Sequence, residues 1–165
     1  PEARVLYAGQ HEEVWGEQEY AARLMPRIEA HQEAGRWQFL GVLEPAAMPA
    51  FFDATDVLVV PSLNSTESFG LIQIEAMMRG TPSVAADLPG VRQPVRMTGM
   101  GRVVPVGEAK ALAQAVVEVL EQGPQPAWDP EGVTARFHPD RCAEQYERLF
   151  QQIAGELGGS VEGRG

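Results

Sequence analysis

Two glutamates eight residues apart, Glu67 and Glu75, bracket a glycine in the stretch ESFGLIQIEAMMRGTP (67–82). A polar loop, PSLNSTESFG (61–70), runs directly into an apolar helical pattern that opens at Gly70. The first N–H groups of such a helix, those of Gly70, Leu71 and Ile72, lack intrahelical acceptors. They sit at the positive end of the helix dipole and suit a phosphate or diphosphate. Gly70 itself lets a ligand approach the backbone closely. A plainer reading has Ser68 merely capping the helix.

Glu75 lies four residues after Leu71 and three before Met78, which places it on the apolar side of the helix. Its side chain leans back towards the helix start. A carboxylate there requires donors, and a pair of ribose hydroxyls offers two at once. The alternative partner is Arg79 at i, i+4, a pairing worth about 0.2–0.5 kcal/mol. Glu67, in the loop before the helix, can reach the opposite end of a ligand held by Glu75.

These residues need a scaffold, and the alternation of apolar runs and helical patterns supplies one. Strands are expected at 4–8 (RVLYA), 37–40 (WQFL), 57–60 (VLVV), 83–86 (SVAA) and 102–104 (RVV). Unbroken runs such as VLVV suit strands covered on both faces. Helices are expected at 17–33, where Pro26 should kink or divide the pattern, and at 45–55, 70–79, 91–97, 108–122 and 140–153. The segment GPQPAWDPEG (123–132) reads as a surface connection and residues 156–165 as a disordered tail. The fold class is α/β: a doubly wound, Rossmann-like parallel sheet of about five strands with helices on both faces, in one domain over residues 1–155. Ligands of such sheets bind beyond the carboxyl ends of the strands, which selects the turns at Gly9–His11, Gly41–Leu43, Pro61–Phe69 and Asp87–Gly90.

The 165-residue chain carries a formal charge of −10, with twelve arginines and one lysine as its basic residues. Without a basic cluster, that charge argues against nucleic-acid binding. The lone cysteine, Cys142, excludes an intrachain disulfide and a cysteine-rich metal site, and is read as a small packing residue. His11 is read as a solvated loop histidine, His31 and His138 as exposed, and the three tryptophans as packing residues. A cytoplasmic location is the default, since no run of about 20 apolar residues is present.

The stretch ESFGLIQIEAMMRGTP resembles the E-x7-E motif of retaining glycosyltransferases with the two-domain GT-B fold, in the group 1 or family 4 class. The flanks extend the resemblance: TDVLVVPS (55–62), DLPGVRQPVRMTGMGRVVP (87–105), the helix at 108–122 and FHPDRCAEQYERLF (137–150). It implies the C-terminal, donor-binding half of such an enzyme, transferring a hexosyl group from a nucleoside-diphosphate sugar to an acceptor. By the same resemblance Glu67 is the catalytic residue, beside the donor sugar near its reacting carbon, and Glu75 holds the ribose. Ser68 and the cradle of Phe69, Gly70, Leu71 and Ile72 take sugar and diphosphate, while Gly41, Val42 and Leu43 border the base. No cofactor and no metal are required; helix dipole and basic side chains stabilise the leaving diphosphate.

The implied partners are the donor and an N-terminal acceptor-binding domain, through which peripheral association with the inner face of a membrane is open. The closing helix of this class often crosses to the other domain, so part of the apolar stripe Tyr146, Leu149 and Phe150, otherwise read as docking on the sheet, can be exposed. Two departures stand out. No GR…KG segment precedes Arg4, and Gln93 replaces the acidic residue that often follows PGVR. The chain alone is expected to be inactive. An epimerase of the same fold and a non-catalytic binding module are the rival readings.

Overall fold

The computed structural model describes residues 3–12, 16 and 18–159, the side chains of 156–159 excepted. Trp15 and residues 160–165 of the expected tail lie outside the described residues. The chain divides into two compact units, Pro1–Ala50 and Phe51–Gly165.

In the first unit, β1 (Val5–Ala8) and β2 (Trp37–Gly41) pair in parallel, with Val5 opposite Trp37 and Tyr7 opposite Phe39. Helix α1 (Gln18–Glu33) links them as one element that contains Pro26, so the proline does not divide it. Residues two apart share a strand face, which gathers Tyr7, Trp37 and Phe39 into one aromatic cluster. His11 stacks on Phe39 with ring centroids 3.9 Å apart. It is therefore a packed residue rather than the solvated one expected. A 3-10 turn, Pro45–Ala47, leads into α2 (Met48–Asp53), where a single helix over 45–55 was expected.

In the second unit β3 (Leu58–Val60), β4 (Ser83–Ala86) and β5 (Gly101–Val104) form a parallel sheet in the order β3-β4-β5. Small side chains let β4 be buried along its whole length. Alternation then sends Ala85 to one face and Val84 to the other. Ala85 packs with Val60, Ile74, Met77, Val91, Val95, Met100 and Val133. Val84 packs with Val104, Ala115 and Val119. Helices α3 (Leu71–Met78), α4 (Gln93–Thr98) and α6 (Pro130–Arg136) thus cover one face, and α5 (Ala109–Gln122) the other.

The α/β class with parallel strands and helices on both faces is as read from the sequence, but the five strands form a pair and a triplet rather than one sheet. Val59 of β3 is 37% exposed where a doubly covered position was expected.

Three further differences have local causes. The supposed connection 123–132 ends in a helix, α6, because Asp129 accepts the Gly132 N–H at 2.8 Å and Pro130 occupies the first turn. Its Val133 then joins the core. Helix α7 (Pro139–Gly159) outruns the expected end at residue 153, so the first residues assigned to a disordered tail are helical. Cys142 on α7 is exposed rather than packed. Tyr146, Leu149, Phe150 and Ile153 of α7 are exposed as well, so the stripe does not dock on the sheet.

Arg79 at the end of α3 grips Asp53 of α2 with both arms, Nε to Oδ1 at 2.8 Å and Nη2 to Oδ2. The hydrogen bond from Arg79, more than its charge, holds the Asp53 carboxyl below its ordinary range. A depressed carboxyl stabilises the fold above its unfolded-state pKa and loses that contribution as pH falls through the folded-state value. The pair is half-exposed, so its contribution is small and screened by salt. Asp53→Asn should lower the urea midpoint at neutral pH, and the difference from wild type should vanish once the medium is acid enough to protonate the wild-type carboxyl.

Candidate functional site

The loop after β3 delivers the chain to α3 through Gly70, at φ 78° and ψ 56°. This left-handed entry is open to glycine at little cost. Among the described residues no side chain caps the helix, so Ser68 is not the cap of the plainer reading. The first closing bond runs from Gln73 N–H to Gly70 C=O at 2.9 Å. The N–H groups of Gly70, Leu71 and Ile72 precede it and have no helical acceptor. Gly70 is buried, Ile72 and Phe69 half-buried, and Ser68 and Leu71 exposed. Phe69 is anchored in the core and lies 6.2 Å from Phe137, ring to ring.

Glu67 is half-buried at this entry. Its Oε2 accepts a hydrogen bond from Ser62 Oγ at 3.3 Å. Its Oε1 lies 3.3 Å from the point that a Cβ on Gly70 would occupy, so the missing side chain makes room for the carboxylate. Just upstream, Asn64 Oδ1 accepts from Thr66 Oγ1 at 2.6 Å and tightens the loop.

Glu75 stands differently from its sequence reading. The buried side of α3 is Gln73, Ile74, Ala76 and Met77, and Glu75 is exposed. The stripe it shares with Leu71 is apolar but faces outward, Leu71 being 65% exposed. Helix rotation explains this: burying Ile74 and Met77 together leaves positions 71 and 75 outside. Arg79 is taken by Asp53, so the i, i+4 pair with Glu75 does not form. Among the described residues Glu75 has no ion-pair partner. It lies five residues beyond Gly70, about 7.5 Å further along the helix axis.

The turn after β4 closes against the same loop. A Cβ on Gly90 would fall 2.1 Å from the Ser68 carbonyl oxygen and 3.0 Å from that of Glu67. Only a glycine permits that approach. Asp87 opens the turn and accepts from Arg92 at 2.9 Å, with Arg96 at 3.5 Å. Gln93 closes the turn from within by donating to the Pro89 carbonyl at 2.8 Å. Gln73, fully buried, donates to the Val91 carbonyl at 2.8 Å and accepts from Ser83 Oγ at 2.9 Å.

Ser62, Gln73 and Gly90 therefore shape the site without having been singled out as site residues. Gln73 had a visible signal, a polar side chain at a buried helical position. Ser62 and Gly90 act through close approach, which spacing does not reveal.

Gly41, Val42 and Leu43 belong to the first unit. Gly41 ends β2 at φ 68°, Val42 is 75% exposed and Leu43 half-buried. Among the described residues no three of His, Cys, Asp and Glu converge as a metal-binding group. No described helix is long and apolar enough to cross a membrane.

Known proteins resemble the chain over most of its length. The family model for glycosyl transferases group 1 matches residues 1–128. A phosphatidyl-myo-inositol mannosyltransferase of Mycobacterium leprae is 41% identical over 120 residues, covering 71% of this chain and 32% of that protein. The counterpart from Mycolicibacterium smegmatis is 32% identical over 132 residues, covering 78% of this chain and 34% of that protein. The chain thus spans about a third of the length of these curated relatives. Among solved structures, Anabaena HepE in complex with UDP superposes with a TM-score of 0.67 at 26% identity, over 96% of this chain and 42% of that one. Sucrose-phosphate synthase of Thermosynechococcus elongatus gives 0.67 at 28% identity, over 92% and 38%.

If Gly90 sets the loop that carries Glu67, then Gly90→Ala should move the amide resonances of residues 67–72 in an N-15 correlation spectrum. Those of α5, on the far face of the sheet, should stay in place.

Proposed function

Since the chain belongs to the group 1 glycosyl transferases, we propose that it is the nucleotide-sugar-binding half of a retaining glycosyltransferase that passes a hexosyl group from a nucleoside-diphosphate sugar to an acceptor. The observation that carries this reading is the start of α3, uncapped among the described residues, where the N–H groups of Gly70–Ile72 lack helical acceptors between two carboxylates. A diphosphate seated there meets oriented donors and the positive end of the helix dipole at once. Relatives support the chemistry: HepE is described with UDP and with UDP-glucose.

In this reading Glu75 accepts hydrogen bonds from the ribose hydroxyls. Its exposure and lack of an ion pair leave it hydrated until a ligand replaces the water. Glu67, braced by Ser62, faces the donor sugar near its reacting carbon. Ser68 and Phe69–Ile72 form the cradle. Loss of the diphosphate leaving group is aided by the α3 N-terminus rather than by a metal ion. Acceptor binding falls to an N-terminal domain, and any contact with a membrane surface to that domain as well. The chain by itself would bind donor without completing transfer.

Titration calorimetry of the chain with UDP, GDP and ADP tests the donor claim. One nucleotide should bind, and Glu75→Ala should weaken it by about 10-fold or more, the value of hydrogen bonds to a charged group. Failure of every nucleotide to bind would favour a non-catalytic module of the same fold. In the longer enzyme, Glu67→Ala should lower turnover by about 10²-fold. Turnover equal to wild type would remove Glu67 from the mechanism, and interconversion of sugar epimers without transfer would favour an epimerase.

A further inference from the structure

Gln73 is a buried amide whose hydrogen bonds do not use its full capacity. It sits on α3 with none of its surface exposed, beside an equally buried Ser83. The Val91 carbonyl can only accept, so the side-chain atom 2.8 Å from it is the amide nitrogen, and Oε1 is the atom that receives Ser83 Oγ at 2.9 Å. That nitrogen carries two N–H groups, and Val91 takes one. Among the described residues the second has no hydrogen-bond partner, and a buried donor left unpaired is costly. The space beside the Gly70 Cα is bordered by this nitrogen and by Glu67 Oε1, which lie 2.5 Å and 3.3 Å from the point a Gly70 Cβ would occupy. Residue 70 itself puts no side chain there.

We propose that Gln73 is the positioning residue of Glu67. Its second amide N–H engages Glu67 Oε1 across the bare face of Gly70, while Ser62 holds Oε2. The carboxylate is then fixed relative to the N–H groups of Gly70–Ile72 by an amide tied to β4 through Ser83 and to the following turn through Val91. A Cβ at position 70 would fill the space in which the two groups meet. The consequence for turnover rests on the transferase reading; the contact itself does not.

The first measurement therefore needs no activity. In the N-15-labelled chain the Gln73 side-chain NH2 pair is followed in Glu67→Gln and in Glu75→Gln. Loss of the carboxylate charge at position 67 should move the Gln73 protons upfield, and the change at position 75 should leave them in place. Gln73 protons that stay put in a folded Glu67→Gln variant would overturn the proposal, and this arm leaves Gln73 itself intact.

The second measurement uses the longer enzyme. Gln73→Met should lower kcat by about 10²-fold, the effect of a misplaced reacting group, with little change in donor KM. Val119→Ala opens the apolar cluster on the other face of the sheet and touches none of this network, so it should reduce thermal stability and leave kcat near wild type. Equal losses of kcat in the two variants would make the role of Gln73 structural only. An enzyme without any sugar transfer would refute the functional reading and leave the resonance measurement to decide the contact.

Discussion

The rotation of α3 on β4 governs the second unit. Ile74 and Met77 meet Ala85 and Val60 in one apolar cluster, and burial of side chains this size is worth about 1.5–3 kcal/mol each. Once they face the sheet, every other position of the helix is assigned. Gly70 comes to the carboxyl end of β3, Leu71 and Glu75 turn outward, and Arg79 reaches Asp53. A polar residue among the inward positions must then bring its own partners, and Gln73 does so with Ser83 and Val91. The same contact that stabilises the sheet layer thus orients the end of the helix where chemistry is proposed.

Two close approaches complete that end. The turn after β4 lies against the Glu67–Ser68 backbone because Gly90 has no Cβ, and the Glu67 carboxylate lies beside Gly70 for the same reason. Such contacts join loops from two neighbouring strands into one body, which is how an open parallel sheet builds a rigid rim from flexible connections. The Asp87–Arg92 pair and the Gln93–Pro89 bond lock the second loop on itself, so it meets the first as a preformed turn.

The legible part of this molecule was the part that repeats. SVAA, VLVV and the spacing of Leu112, Val116 and Val119 are read directly as strands and a helix, because burial imposes their periods. The family was legible through resemblance, and the helix start through the polar loop that precedes it. What escaped was decided by contacts distant in sequence. Whether Glu75 faces in or out depends on which of two adjacent stripes, 70/73/74/77 or 71/75/78, meets the sheet. Both are apolar enough to qualify, and only tertiary packing chooses. α6 was hidden because its Pro and Gly content signals a turn, while a single Asp129 cap and one buried valine suffice to hold a short helix. The sheet was overcounted because strand number is visible in a sequence and hydrogen-bond partnership is not.

The roles proposed for the two glutamates impose opposite physical requirements, and their surroundings differ accordingly. A carboxylate that acts near a reacting carbon must be held before the substrate arrives, since orienting it during the reaction would add to the barrier. Glu67 is half-buried, braced by Ser62 and set against Gly70. A carboxylate that only grips a ligand needs no such bracing. It gains from staying hydrated and unpaired, because a competing cation would have to be displaced first. Arg79 is one turn from Glu75 and is committed to Asp53 instead. That diversion leaves Glu75 open to the proposed ligand, so an ion pair at the end of α3 away from the loop would serve the proposed site by occupying the nearest rival partner.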